Sequence, residues 1–333
     1  MTPFDVVTRY QADILAIISG SSSPHVGERA RPLLDRLLAD VPMPAVPAEL
    51  LAAPRAAASD YAANWSHQVW YHLTELARIR EGRKERAQAQ GGDSWVNVSA
   101  PDPDEELTRQ LRELAKLRAL LAAMPRLVRP VEQGELVNDP LLDRPGAWEF
   151  PEGLAVERDS ELGVCWTGQN PGGDWFWLRQ PLPDAGVAIR VDLKPVSTIK
   201  GGLIAAFCVK PLKPGTPLSV ASSPNMGDYF RNFDAYHFSV NRGASGYCNL
   251  RRAGPGLIML ASFPDPCPEY GRWYALEIIQ RGPQVQLAVD GRLAVCYVDL
   301  GCIQPPLAGG LFGLRHFQGF CGWHRNLRVA RLG

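Results

Sequence analysis

Val187-Ala-Ile-Arg-Val-Asp-Leu193 decides the fold class, because Val187, Ile189, Val191 and Leu193 alternate with Ala188, Arg190 and Asp192. Successive side chains of an extended chain point to opposite faces, so this spacing predicts a strand with one buried face. The same alternation returns in Gln284-Val-Gln-Leu-Ala-Val289 and stops at Asp290-Gly291, a hairpin turn signal. Strand-like runs also occupy 175–179, 203–209, 236–242, 273–280, 293–298, 311–317 and 326–332. Many short strands with turn signals and no interleaved helices predict an antiparallel two-sheet sandwich or jelly roll over residues 148–333.

Upstream the period is helical. Thr2 suits an N-cap and Pro3 the first helical position, with Val7, Tyr10, Ile14, Ile17 and Ile18 on one face. A second helix carries Leu33, Leu34, Leu37 and Leu38. A third carries Tyr61, Trp65, Val69, Leu73, Leu76 and Ile79, and its charged end (Arg80 to Arg86) reads as solvated. A fourth opens at Asp102-Pro103-Asp104-Glu105 and continues through Leu107, Leu111, Leu114 and Leu121. Pro130, Pro140 and Pro145 then mark a connection. The expected organisation is multidomain, α plus all-β: a helical region at 1–125, a linker at 126–147 and the sandwich at 148–333.

Composition excludes some functions. Lys+Arg and Asp+Glu balance at 35 each in 333 residues, so no net field draws the chain to nucleic acid or an anionic membrane. No apolar run reaches membrane-spanning length. The first twenty residues carry Asp5 and Asp13 and lack the basic start of a secretion signal. Seven cysteines with no CxxC pair read as reduced thiols, so a cytoplasmic location is expected. There is no metal-ligand spacing, phosphate loop or nucleophile elbow, and no cofactor is expected.

One strand carries chemistry on its exposed side. In Asp234-Ala-Tyr-His-Phe-Ser-Val-Asn-Arg242, Tyr236, Phe238 and Val240 share a face, and His237, Ser239 and Asn241 share the other. The next strand, Tyr247 to Arg252, sets Asn249 and Arg251 together, and the short connection makes the two strands neighbours. His, Asn and Arg supply the paired donors and acceptors that sugar hydroxyls need, and arginine holds a uronate carboxylate in a two-pronged way. Trp175 and Trp177 share a face and offer stacking on a pyranose ring. His316 and His324 are candidate acids or bases. Against this stand the blander readings: a solvated polar face, core tryptophans and structural histidines.

The strings YHFSVNRG, CNLRR, WYALEIIQRGPQVQLAVDG, LFGLRHF and NLRVARL resemble the uncharacterised bacterial family typified by the YesU protein. The resemblance covers about 148–333. It implies a galectin-like, concanavalin-A-like sandwich and a role with pectin-type oligosaccharides, and it singles out His237, Arg242, Asn249, Arg251 and Arg315. The helical region lies outside it. The expected partner is an oligosaccharide, acted on by hydrolysis or β-elimination, with His237 as base and Arg251 as carboxylate clamp. Asn241, Arg242, Asn249, Trp175, Trp177, Arg315 and His316 are the expected sugar contacts. Binding without catalysis, or a scaffold role, are the alternatives.

Overall fold

The computed structural model describes residues 2–20, 24–48, 58–82, 102–123, 131–170, 173–198, 201–223, 226–242, 246–254, 257–317 and 319–333. Contacts divide the chain into two compact units: Met1–Arg129 with Val298–Pro306, and Pro130–Tyr297 with Leu307–Gly333.

The first unit holds α1 (Pro3–Arg9), α2 (Gln11–Ile18), α3 (Val26–Leu37), α4 (Ala58–Arg80) and α5 (Pro103–Ala123). Thr2 and Asp5 form a reciprocal capping box that satisfies two backbone donors at the start of α1. The leucine stripes predicted from spacing are buried, among them Leu33, Leu34 and Leu37, Leu73 and Leu76, and Leu107 and Leu114. The solvated end expected after Arg80 lies largely outside the described residues. Spacing gives no sign that Gln110, Glu113 and Lys116 are also buried. His72 Nδ1 lies 2.5 Å from Gln110 Oε1, and Lys116 pairs with Glu113, so this polar stripe is satisfied internally. No described helix is long and apolar enough to cross a membrane.

The second unit begins with β1 (Glu132–Asp139), β2 (Trp148–Glu149), β3 (Val156–Asp159), β4 (Gly163–Thr167), β5 (Asp174–Leu182), β6 (Val187–Ser197) and β7 (Gly202–Pro211). Two short helices follow, α6 (Leu218–Ala221) and α7 (Met226–Asn232). The chain then continues through β8 (Phe233–Val240), β9 (Tyr247–Arg252), β10 (Ile258–Pro264) and β11 (Tyr274–Arg281). It closes with β12 (Gln284–Val289), β13 (Arg292–Val298), β14 (Gly310–Phe317) and β15 (Cys321–Leu332).

These strands form two antiparallel sheets. Sheet I runs β13-β12-β11-β6-β15-β4-β3, with β1 also on β15, and sheet II runs β10-β9-β8-β7-β14-β5-β2. The alternation in β6 does what it predicts: Val187, Ile189, Val191 and Leu193 are buried and Arg190 and Asp192 are half-buried. Trp166 of sheet I stacks on Phe176 of sheet II with centroids 5.0 Å apart, which fixes the inward faces of both.

The expected linker at 126–147 needs correcting. Its residues Glu132–Asp139 pair antiparallel with β15 along Asp139↔Leu327 to Glu132↔Leu332. Prolines on either side disguise the strand, since an edge strand tolerates them next to its ends. Asp139 locks the turn that follows, accepting from the backbone N–H groups of Asp143 (3.1 Å) and Arg144 (3.3 Å) and from Trp148 Nε1 (2.8 Å). Removing a buried acceptor strands its donors, at about 1–3 kcal/mol. Asp139→Ala is therefore expected to lower the urea-unfolding free energy by about 2–3 kcal/mol, and an unchanged midpoint would show that the turn holds without it.

Candidate functional site

Register decides which side chains meet. His237 stands opposite Arg251 on β9 and opposite Ala206 on β7, while Ser239 stands opposite Asn249 and Ile204. Across β14 the same rows continue, Gly313 opposite Ala206 and Trp177, Arg315 opposite Ile204 and Trp175. Direct cross-strand partners share a sheet face. One face of sheet II therefore carries two rows: Trp177, Gly313, Ala206, His237 and Arg251, and beside it Trp175, Arg315, Ile204, Ser239 and Asn249. It is the face turned away from sheet I, because Phe176 and His316, of the opposite parity, contact sheet I residues.

Flat side chains fit here because small ones make room. A Cβ at Gly313 would come within 2.3 Å of the Trp177 ring, so that ring lies across the glycine. Trp175 stacks on Trp177 with centroids 4.2 Å apart. The face is also covered. Tyr229 of α7 packs on Trp175 (5.1 Å between centroids) and on His237 (6.4 Å), and Trp177 Nε1 donates to Ser222 Oγ at 3.0 Å. Trp175, Trp177, His237, Asn249 and Arg315 are all buried, while Arg251 is half-buried and donates through Nε to Asn249 Oδ1 (3.0 Å).

Electrostatics follow from that burial. Desolvation, and then the positive charges of Arg251, Arg315 and Arg242, hold the His237 imidazole well below 6.5, so it is neutral near pH 7. Burial pushes the Tyr229 phenol well above its usual range. Burial also pulls Arg315 down to about 9, opposed by Tyr229 and Asp174, so the guanidinium stays charged near neutrality. Four polar groups of this cluster have no hydrogen-bond partner: Arg315 at all three nitrogens, Tyr229 Oη, His237 Nδ1 and Trp175 Nε1.

Several expected contacts belong elsewhere. Asn241 lies past the end of β8 at φ 51°, with its Nδ2 donating to the Cys267 carbonyl (2.5 Å) and its N–H to Asp265 Oδ1 (3.1 Å). Asparagine tolerates that left-handed backbone, and here it anchors a loop and does not face the polar rows. Arg242 follows it, half-buried, its N–H on Asp265 Oδ2 at 3.0 Å. His316 is of inward parity and sits in the core. Its Nδ1 meets the Trp166 carbonyl (2.7 Å) and its Nε2 meets His324 Nε2 (2.7 Å). Trp175 and Trp177 do share the polar face, but both are sealed beneath α7 and stack on each other, so neither ring is open for a pyranose as it stands.

Three carboxylates on the flanking segments, Asp228, Asp234 and Glu269, are engaged as well. Asp234 is ion-paired to Arg252 (2.8 Å), Glu269 to Arg272 (3.1 Å), and Asp228 accepts from Ser223 (2.7 Å). Spacing does not mark Tyr229 or Ser222, since α6 and α7 are too short to show a period. Among the described residues no three His, Cys, Asp or Glu side chains are grouped to hold a metal ion.

No family model matches the sequence, and no curated protein sequence matches it significantly. Among solved structures, the chain is similar to a protein of unknown function with a galectin-like fold from Bacillus subtilis, with TM-score 0.51 and 21% identity, over 60% of this chain and 97% of that one. It also matches the carbohydrate binding module CBM66 from Bacillus subtilis, with TM-score 0.41 and 13% identity, over 56% and 96% of the two chains. A third match is a Bacillus licheniformis β-glucanase, with TM-score 0.41 and 12% identity, over 61% and 100%. The first of these likenesses shows the fold, a galectin-like sandwich of two antiparallel sheets.

Proposed function

We propose that the outer face of sheet II takes up an oligosaccharide and cleaves a glycosidic bond by β-elimination. The observation that supports this reading is the register, which brings His237, Asn249, Arg251, Arg315 and the tryptophan pair into two adjacent rows. The resemblance to the YesU-like family is compatible with it. Hydrolysis would use two carboxyl groups flanking the bond. Of the described residues on these rows only Glu149, opposite Trp177 on the edge strand, is acidic, and it lies 3.6 Å from Arg179.

Elimination needs less. A neutral imidazole, that of His237, takes the proton from the carbon bearing the sugar's carboxylate. The electron pair left behind forms the new double bond as the glycosidic C–O bond on the next carbon breaks. The departing oxygen takes a proton from the Tyr229 hydroxyl, a neutral donor whose burial keeps it protonated, and solvent exchange returns both groups to their starting states. Arg251, at the open flank of the row, contacts the sugar's outer oxygens. The test is incubation with a panel of uronate-containing oligosaccharides and mass analysis of the products. Elimination yields an unsaturated end with no water added. Products one water heavier would mean hydrolysis, and tight binding with no product would mean a lectin-like protein.

A further inference from the structure

We propose that Arg315 is the base of a buried carboxylate-binding site that receives the acid group of a uronate in the bound saccharide. This rests on the saccharide reading above and moves the carboxylate clamp from Arg251, which already donates to Asn249, to Arg315.

The geometry leaves one direction for a ligand. Trp175 covers the guanidinium at 5.1 Å from its centroid and Phe317 at 5.5 Å, so its N–H donors have only their own plane in which to find an acceptor. In-plane approach is how a carboxylate binds arginine in a bidentate way. Gly173, at φ 80°, leaves the space the side chain needs, since a Cβ there would lie 2.9 Å from Arg315 Nε. The carboxylate whose charge Arg315 feels, Asp174, is committed elsewhere. It accepts from the backbone N–H groups of Gln169 (2.6 Å) and Asn170 (3.3 Å) and from Asn170 Nδ2.

Folded proteins leave few buried polar groups without partners, and a fully buried charge without one is costly. Here Tyr229 Oη, His237 Nδ1 and Trp175 Nε1 share that condition on the same face. Arg315 is the one fully buried cation of this cluster, Arg251 being half-buried, so a monoanion closes it, whereas a phosphate dianion would leave a buried charge uncompensated. Entry requires α7 to lift, because Tyr229 lies on Trp175, and to settle back over the bound sugar so that the Tyr229 hydroxyl reaches the departing oxygen.

The test uses the full-length protein and Arg315→Met, which keeps a linear side chain and removes the charge. Melting is followed in sodium acetate, chloride and phosphate at matched ionic strength. Acetate is expected to raise the wild-type melting temperature above that in either other salt and to leave the variant unmoved. In chloride the variant is expected to melt above the wild type, because it no longer buries an unpaired charge. Identical acetate responses would overturn the site. By calorimetry, trigalacturonate should bind the wild type at least tenfold more tightly than its carboxyl-reduced form, a preference lost in the variant. Equal binding of the two sugars would overturn the uronate assignment and leave the saccharide reading intact. Binding of neither, with an Arg315-dependent acetate response, would overturn the saccharide reading and with it the uronate assignment. Should Arg315→Met not fold, Arg315→Lys keeps the charge without the planar fork, and an undiminished preference for the carboxylated sugar in that variant would equally overturn the assignment.

Discussion

Between pH 7 and pH 4.5 the sandwich is expected to lose stability, by about 2 to 3 kcal/mol through His324 alone and further through His237 and His316. Three of its histidines are fully buried and held neutral. His324 is pulled down to about 3 and His237 and His316 fall well below 6.5, each chiefly by desolvation. In the unfolded chain each takes a proton near pH 6.5. Below that pH the unfolded state binds more protons than the folded state, so stability falls as pH falls, by about 1.4 kcal/mol per unit for each histidine. The loss ends only below the folded-state values. His316 and His324 contribute most clearly, since protonating either puts a charge between the sheets with another imidazole 2.7 Å away. In the helical unit His72, pulled down to about 4 by burial, acts in the same direction. Urea midpoints across this range measure the effect. The double variant His316→Phe, His324→Leu should flatten the dependence markedly, and a midpoint that is level from pH 7 to pH 5 would refute the account.

Period 2 is enough to read the sandwich and period 3.6 to read the helices, because one buried face per element is what packing demands. Where that demand is absent, spacing says nothing. β1 carries the pattern of an edge strand, exposed at Gln133, Gly134 and Glu135, and so reads as a linker. His316 and Arg315 are adjacent in sequence and both are expected sugar contacts, yet alternation sends one to the core and the other to the outer face. The parity rule used on β8, applied to Leu311–Phe317, separates them. Burial of the polar face is not legible at all, since it depends on α6 and α7, whose short turns of Leu218–Ala221 and Met226–Asn232 carry no periodic signature. Likewise the seven thiols are free, but nothing in the spacing foretells that Cys165 and Cys321 lie 3.4 Å apart on neighbouring strands.

His237→Ala is expected to lower turnover of a uronate oligosaccharide by roughly a hundredfold to ten-thousandfold while leaving its binding within a few-fold, because general base catalysis contributes that much and binding rests on other groups. The fold fixes where this side chain points. Tyr236, Phe238 and Val240 are held in the core, so His237 must face outward, opposite Arg251 and beneath Tyr229. Its Nδ1 has no partner in the protein and is free to receive a proton. A structural role for the imidazole would also cost activity, so the rate alone does not decide. Added imidazole should restore turnover to His237→Ala, because the truncated side chain leaves room for the small base, and should not restore it to His237→Phe. The pH profile gives an independent reading. Since burial and three arginine charges keep the group neutral well below 6.5, kcat/KM should stay level from pH 8 to pH 6, with no inflection at the pKa of an ordinary histidine. A fall centred near pH 6.5, or full turnover in the alanine variant, would remove His237 from the chemistry.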